Sequence, residues 1–285
     1  MAVTERLTPE YTPDQLPPMD VAGRAARLRP LIAAAGCDAL VVTNLTNVRY
    51  LTGFTGSAAI LLVTADDLLF VSDGRYQTQS ADQLSAAGVD ARIEIVAAEP
   101  DAVVAAAAQA AGVLRLGLES QSVTWAQQRR WAGELFPAGE LVPAESLVED
   151  LRLVKDAGEA ARIRSACAIA DAALADVRGR LLEGPTEIEF GLELDAAMRR
   201  LGAEDVSFET IVASGPNGAK PHHHPSDRRI EQGDLVVIDF GALVDGYHSD
   251  MTRTVALGDV GDERRRMLDV VLRSQDAGVQ AVAAG

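Results

Sequence analysis

The chain has 285 residues, 48% of them hydrophobic and 24% charged, with a net charge of −16. That length suits about two domains rather than one core, and the balance is that of a soluble globular protein. The lack of any Lys/Arg-rich block excludes nucleic acid as an expected partner, because binding phosphates needs a basic face. No run approaches the ~18 apolar residues of a membrane span, so no membrane partner is expected either.

Residues 1–19 carry Pro9, Pro13, Pro17 and Pro18 and are expected to be an irregular lead-in. They also hold Glu5, Glu10 and Asp14 and lack the apolar stretch of a signal peptide. Asp20 is a candidate N-cap for a helix reaching about Ala35 and ended by Gly36. Apolar runs at Ala39–Thr43, Ala58–Thr64 and Asp67–Ser72 predict strands, the last two joined by a tight turn. A helix over Tyr76–Ala87, a strand over Ile93–Val96 and an alanine-rich helix over Ala102–Ala111 follow. A strand at Leu114–Leu118 and a helix at Ser122–Glu134 complete the alternation, which predicts an α/β domain with a mixed sheet over residues 20–150. Cys37 and Cys167 stand far apart and outside any CxxC pattern, as free thiols in a reducing, cytoplasmic location would.

Near residue 150 the pattern changes. A long amphipathic helix is expected over Ala157–Glu183, with Leu174, Val177, Leu181 and Leu182 at helical spacing. Thr186 starts a second helix, with Glu189 three residues on to complete a capping box. Strands are then expected at Phe208–Ser214, Leu235–Phe240 and Tyr247–Ala256, and a last helix at Asp262–Ala284. Helices first and an antiparallel sheet after them make residues 151–285 an α+β domain.

The stretch Gly233–Gly258 reads as two strands around the hairpin dipeptide Asp245-Gly246. If those two residues are central in the turn, Asp239 faces Thr252 and Asp250 lies diagonally beside it. If the turn is centred one residue earlier, the two aspartates face each other. In both registers they share one face of the ribbon. Like charges on neighbouring strands repel, and Asp239, after Leu235-Val236-Val237-Ile238, is expected to be buried, where a lone carboxylate is costly. A divalent cation such as Mn²⁺, Co²⁺ or Zn²⁺ is the simplest remedy. Two other readings stay open from these residues: a turn-capping Asp239 with Asp250 paired to Arg253, or a proton shared between the two acids.

Upstream, a loop at Ser214–Gly218 leads into His222, His223 and His224. Successive residues of an extended chain alternate sides, so at most His222 and His224 share a face. The segment is either a solvated loop or the source of an imidazole that moves a proton near neutral pH.

Together SFETIVASGPNGAKPHHHP and GDLVVIDFGALVDGYHSDMTRTVALG closely resemble the catalytic domain of the Xaa-Pro aminopeptidase and Xaa-Pro dipeptidase (prolidase) family. NVRYLTGFTGS at Asn47–Ser57 and SDGRYQTQ at Ser72–Gln79 resemble the N-terminal domain that prolidases and creatinase carry. LRLVKDAGEAARIRSACAIAD at Leu151–Asp171 resembles the junction between the two. Read from the residues alone, Asn47–Ser57 is an ordinary loop before a strand. The resemblance implies a creatinase-like α/β domain followed by a pita-bread α+β domain that holds two divalent ions. Asp239 and Asp250 match the family's two metal aspartates, His222 matches its substrate-contacting histidine, and Thr252 matches a position that orients a ligand. The implied reaction is hydrolysis of the bond before proline by a metal-bridged hydroxide, with a proline-containing peptide as substrate and a homodimer as the possible assembly.

Three further family ligands, one His and two Glu, have no counterpart after Asp250, where Asp259, Asp262, Glu263, Asp269 and Asp276 fall in a turn and a helix. The expectation is a C-terminally incomplete pita-bread domain that binds metal weakly or not at all and does not turn over alone. The alternative is a non-catalytic module for binding or dimerisation. A creatinase-like reaction on a non-peptide substrate is disfavoured, because creatinase works without the two metal aspartates retained here.

Overall fold

The computed structural model describes residues 15–283. Of the lead-in expected over 1–19, residues 1–14 lie outside the described residues, as does Ala284 of the last helix. The described residues form two compact units, 19–156 and 157–283, the second joined by residues 15–18.

In the first unit, helix α1 (Arg24–Ala34) precedes strand β1 (Ala39–Val42). The helix starts three residues later than expected. Asp20 does not cap it, because its carboxylate accepts from Arg27 Nη1 at 2.8 Å, and Gly23 stands at the N-cap without a side-chain bond. Helix α2 (Leu45–Thr52) replaces the loop expected there. Asn44 Oδ1 accepts from the Thr46 N–H, and Gly53, at φ 76°, ends it. Strands β2 (Ile60–Thr64) and β3 (Leu68–Asp73), helix α3 (Gln77–Ala86), strand β4 (Arg92–Val96), helix α4 (Pro100–Ala110), strand β5 (Arg115–Glu119) and helix α5 (Trp125–Arg130) follow close to the expected places. Strand β6 (Glu140–Ala144) was not foreseen. Its Pro143 masks it in the sequence and suits the sheet-edge position it takes. Helix α6 (Leu147–Leu153) closes the unit.

The sheet order is β4-β3-β2-β1-β5-β6. β2 runs antiparallel to both its neighbours and the other pairings are parallel, so the sheet is mixed as expected. Alternate residues of β1 feed two cores. Leu40 and Val42 pack with Leu28, Ile32, Leu51 and Phe70, and Ala39 and Val41 pack with Val104, Leu116 and Trp131. Burial on both faces explains why its run reads as continuously apolar.

In the second unit, α7 (Ala157–Val177) continues as a 3-10 turn to Glu183 and is followed by α8 (Glu187–Arg200). The expected capping box at Thr186 and Glu189 is present in both directions. Val177 and Leu181 are buried as expected, but Leu182 faces solvent. Six short strands make two antiparallel sheets. β7 (Asp205–Val206), β10 (Ala242–Val244) and β11 (Tyr247–His248) form the order β11-β10-β7, and β8 (Ile211–Ser214), β9 (Leu235–Phe240) and β12 (Met251–Ala256) form β12-β9-β8. Val236, Ile238 and Phe240 turn inward onto Ile169, Ala173, Phe190 and Leu194 of α7 and α8, leaving the other face of β9 open. β12, on the edge of its sheet, pairs with β9 alone among the described strands. Helix α9 (Gly261–Gln280) has no buried residue, and Met267, Val270, Val271 and Leu272 are all more than half exposed. Among the described residues no helix is long and apolar enough to cross a membrane.

The single strand expected over Tyr247–Ala256 is broken at Ser249-Asp250, and Gly241 interrupts the strand opposite. Here the ribbon passes from one sheet to the other. Ser249 Oγ accepts from the Ala242 N–H at 2.9 Å and donates to the Ala166 carbonyl of α7. A Cβ on Gly241 would lie 1.9 Å from the Ser249 carbonyl oxygen, so no other residue fits. Gly241→Ala is expected to cost about 3 kcal/mol, the upper end for overpacking, because the obstacle is backbone rather than a flexible side chain. Urea unfolding of the two forms measures it, and a change under about 0.5 kcal/mol would show that the crossing is soft.

Candidate active site

The turn at Asp245-Gly246 has both central residues at positive φ, 46° and 79°, the geometry of a type I′ turn. Arg162 of α7 holds the Asp245 carboxylate through its Nε, and Tyr247 Oη donates to Glu159 Oε1 at 2.9 Å. The turn is thereby fastened to the helix behind it. The resulting register pairs Val244 with Tyr247, Leu243 with His248, Met251 with Phe240 and Thr252 with Asp239. This is the first of the two registers the sequence allowed. Asp239 faces Thr252, and Asp250 sits diagonally beside it.

Asp239 is half-buried rather than buried, because the strand alternation gives it to the open face of β9. Its Oδ1 accepts from Thr252 Oγ1 at 2.8 Å. Ile211 of β8 flanks it on the other side. Asp250 is exposed. Arg253, its suggested partner, reaches instead to Asp171 Oδ1 of α7 at 3.4 Å. The structural pairing of Asp250 with Arg253 is therefore not formed.

Asp239, Asp250, His222, His223 and His224 line one open cleft of about 320 Å³, with Phe208, Glu209 and Ile211 as its remaining walls. The three histidines alternate. His222 and His224 are exposed, and His224 Nδ1 lies 3.0 Å from Glu209 Oε1. His223 turns inward, with its Nε2 2.8 Å from Glu187 Oε2.

Glu187 was missed in the sequence. It is the first residue of α8 and is fully buried. Its Oε1 accepts from the Ser214 N–H and Oγ, both at 2.7 Å. Its Oε2 accepts from the Ser226 N–H at 3.0 Å and Ser226 Oγ at 2.6 Å. Asn217 Nδ2 reaches both oxygens, at 3.1 and 3.2 Å. Burial alone would push this carboxyl up, but the Ser214, Ser226 and His223 hydrogen bonds outweigh it and hold the group well below the usual carboxylate range. Just outside, Arg228 Nη1 donates to Ser214 Oγ at 2.6 Å and to Asp234 Oδ2 at 2.7 Å. The loop Ser214–Ser226 is thus pinned at both ends and in its middle. A position inside a capping box draws attention to the helix start, not to the loop that its side chain gathers.

A folded-state pKa below the unfolded value of about 4.3 means that Glu187 stabilises the fold above that pH, and that the contribution is lost as pH falls below it. Glu187→Gln is expected to cost about 3 kcal/mol at pH 7, as when one partner of a buried ionic network is removed. The gap from wild type should narrow progressively as pH falls below about 4.3. Denaturant midpoints of both forms at pH 7, 5 and 3 measure this, and a gap independent of pH would contradict it.

Residues 24–154 match the Creatinase/Prolidase N-terminal domain, and residues 161–285 match Metallopeptidase family M24. An uncharacterized peptidase of Bacillus subtilis, YqhT, is 38% identical over 260 residues, covering 91% of this chain and 72% of YqhT. The structure superposes on an Xaa-Pro dipeptidase from Bacillus anthracis with a TM-score of 0.87 at 36% identity, covering 92% of this chain and 72% of that one. It superposes on an X-Pro aminopeptidase from Thermotoga maritima with a TM-score of 0.81 at 32% identity, over 92% and 73%. With a mixed-sheet N-terminal unit followed in sequence by a unit of two antiparallel sheets, the chain belongs to the Xaa-Pro dipeptidase and prolidase family of pita-bread M24 metallopeptidases.

Proposed function

We propose that the cleft between the histidine loop and the β9–β12 ribbon is the substrate-side part of an Xaa-Pro peptidase site. In this reading Asp239 and Asp250 are metal ligands and His222 contacts the peptide beside the bond that precedes proline. The observation that carries the reading is the convergence of Asp239 of β9, Asp250 at the break between β11 and β12, and an exposed imidazole on one cleft. Phe208 and Ile211 give that cleft an apolar wall, suited to a ring such as that of proline.

The carboxylates suit hard or borderline divalent ions, Mn²⁺ first and Co²⁺ or Zn²⁺ after it. Among the described residues Thr252 is the one side-chain donor to Asp239, and no donor engages Asp250. Thr252 fixes the Asp239 carboxylate and leaves its second oxygen for a ligand bond. When bound, divalent ions supply Lewis acidity that polarises a carbonyl and makes water acidic. His222, exposed at the rim, is placed to donate to the substrate or to pass a proton near pH 7. Among the described residues no three His, Cys, Asp or Glu side chains are grouped to hold an ion. Binding through two carboxylates is accordingly weak in this reading, and turnover by this chain is negligible.

Calorimetry with Mn²⁺ tests the metal assignment. Weak binding to the wild type is expected, reduced at least about tenfold in Asp250→Asn; binding unchanged in the variant would remove Asp250 from the site. Hydrolysis of an Xaa-Pro dipeptide in Mn²⁺ tests the second part, with no release of proline above the blank expected. Turnover near the ~10 s⁻¹ typical of enzymes would overturn it.

A further inference from the structure

All three histidines line the cleft, but not equally: His222 and His224 are exposed there, whereas His223 is turned inward. Anchoring one side chain of so short a segment restrains the backbone of its neighbours. Here the fixed one is His223, whose side chain is 10% exposed and whose Nε2 lies 2.8 Å from the fully buried Glu187. With His223 held inward, His222 and His224 on either side of it are exposed.

The anchor is costly. A buried carboxylate is several kcal/mol unfavourable before it is paired. Apolar packing closes a loop without that cost, and often with equal or better stability. Glu187 instead collects Ser214 at one end of the loop, Ser226 at the other, and Asn217 and His223 between them. The backbone joins in, because the Glu187 N–H donates to the Arg228 carbonyl and the Ile188 N–H to the Ser226 carbonyl. Asn217, held by Glu187, also accepts from Lys220 Nζ at 2.8 Å, two residues before His222. Every one of these contacts restrains where the His222 backbone can go, and none of them touches the cleft aspartates.

We propose that Glu187 is a positioning residue. By holding His223 inward it restrains the Pro221–Pro225 segment and keeps His222 at the Asp239/Asp250 cleft. The inference rests on the reading of His222 given above, but it concerns the order of the loop and is measurable without metal or substrate.

The experiment is NMR relaxation on the full chain, whose four histidines give a small and assignable set. In the wild type the backbone order parameter of His222 should be that of rigid structure, about 0.85, and in Glu187→Gln and His223→Ala it should fall below about 0.6. His223→Gln, which restores an N–H donor toward Glu187, should recover most of the loss. His248, on β11 and away from the loop, reports whether the fold is intact. If Glu187→Gln does not fold, the two His223 variants decide. A His222 that stays ordered in His223→Ala with His248 unchanged overturns the proposal, and so does a loss that His223→Gln leaves uncorrected. Added Mn²⁺ separates the two ideas. Broadening of the His222 signals in wild type supports the cleft reading. Its absence, with the order still dependent on His223, counts against that reading and leaves Glu187 as the residue that sets the loop.

Discussion

The two-residue turn at Asp245-Gly246 is the constraint on which the candidate site depends. A strand alternates with a period of two, so a slip by one residue would send Asp239 and Asp250 into the apolar layer under the ribbon. The positive φ angles at both turn residues, and the grip of Arg162 on Asp245, remove that freedom. The same register holds in both sheets, although the strands are interrupted at Gly241 and Ser249-Asp250, where the ribbon changes sheet. The result is division of labour along one strand. Val236, Ile238 and Phe240 anchor β9, and Asp239 between them lies on the face that the core does not cover.

The second determinant is a charge rather than a turn. Loops with this much glycine and proline are usually mobile, because little apolar area is buried when they order. The Ser214–Ser226 loop is ordered by polar means, with one carboxylate serving as the common acceptor for side chains that are distant in sequence. Such a hub is all-or-none in character. Each donor alone is worth about 1–3 kcal/mol, but a missing acceptor leaves several buried donors unsatisfied at once.

Much of this was legible in the residues. The α/β alternation, the Thr186 capping box and the hairpin were all present as local patterns, and local patterns survive tertiary packing when they agree with it. The shared face of Asp239 and Asp250 followed from parity alone. What was not legible depended on contacts between distant segments. Helix α2 was hidden because Thr46, Val48 and Thr52 are β-branched and look extended, and its real signals, Asn44 and Gly53, lie at its ends. Strand β6 was hidden by a proline. Asp239 was expected to be more buried than it is, because an apolar run was read as burial on both faces when only one face is covered. Glu187 looked like one more acidic residue at a helix start, and nothing near it announces the four residues that converge on it.

One feature of the second unit also bears on how solutions of this chain behave. β12 presents an edge with no neighbouring strand among the described residues, and α9 presents Met267, Val270, Val271 and Leu272 to water. An open strand edge and exposed apolar side chains on a helix are both adhesive. The opposing force is the net charge of −16, which makes two copies repel. That repulsion acts over about 10 Å at 0.1 M salt but only about 3 Å at 1 M. The colloidal stability of the chain is therefore governed by ionic strength: dilute buffer keeps copies apart, and concentrated salt lets the edge and the helix find their counterparts.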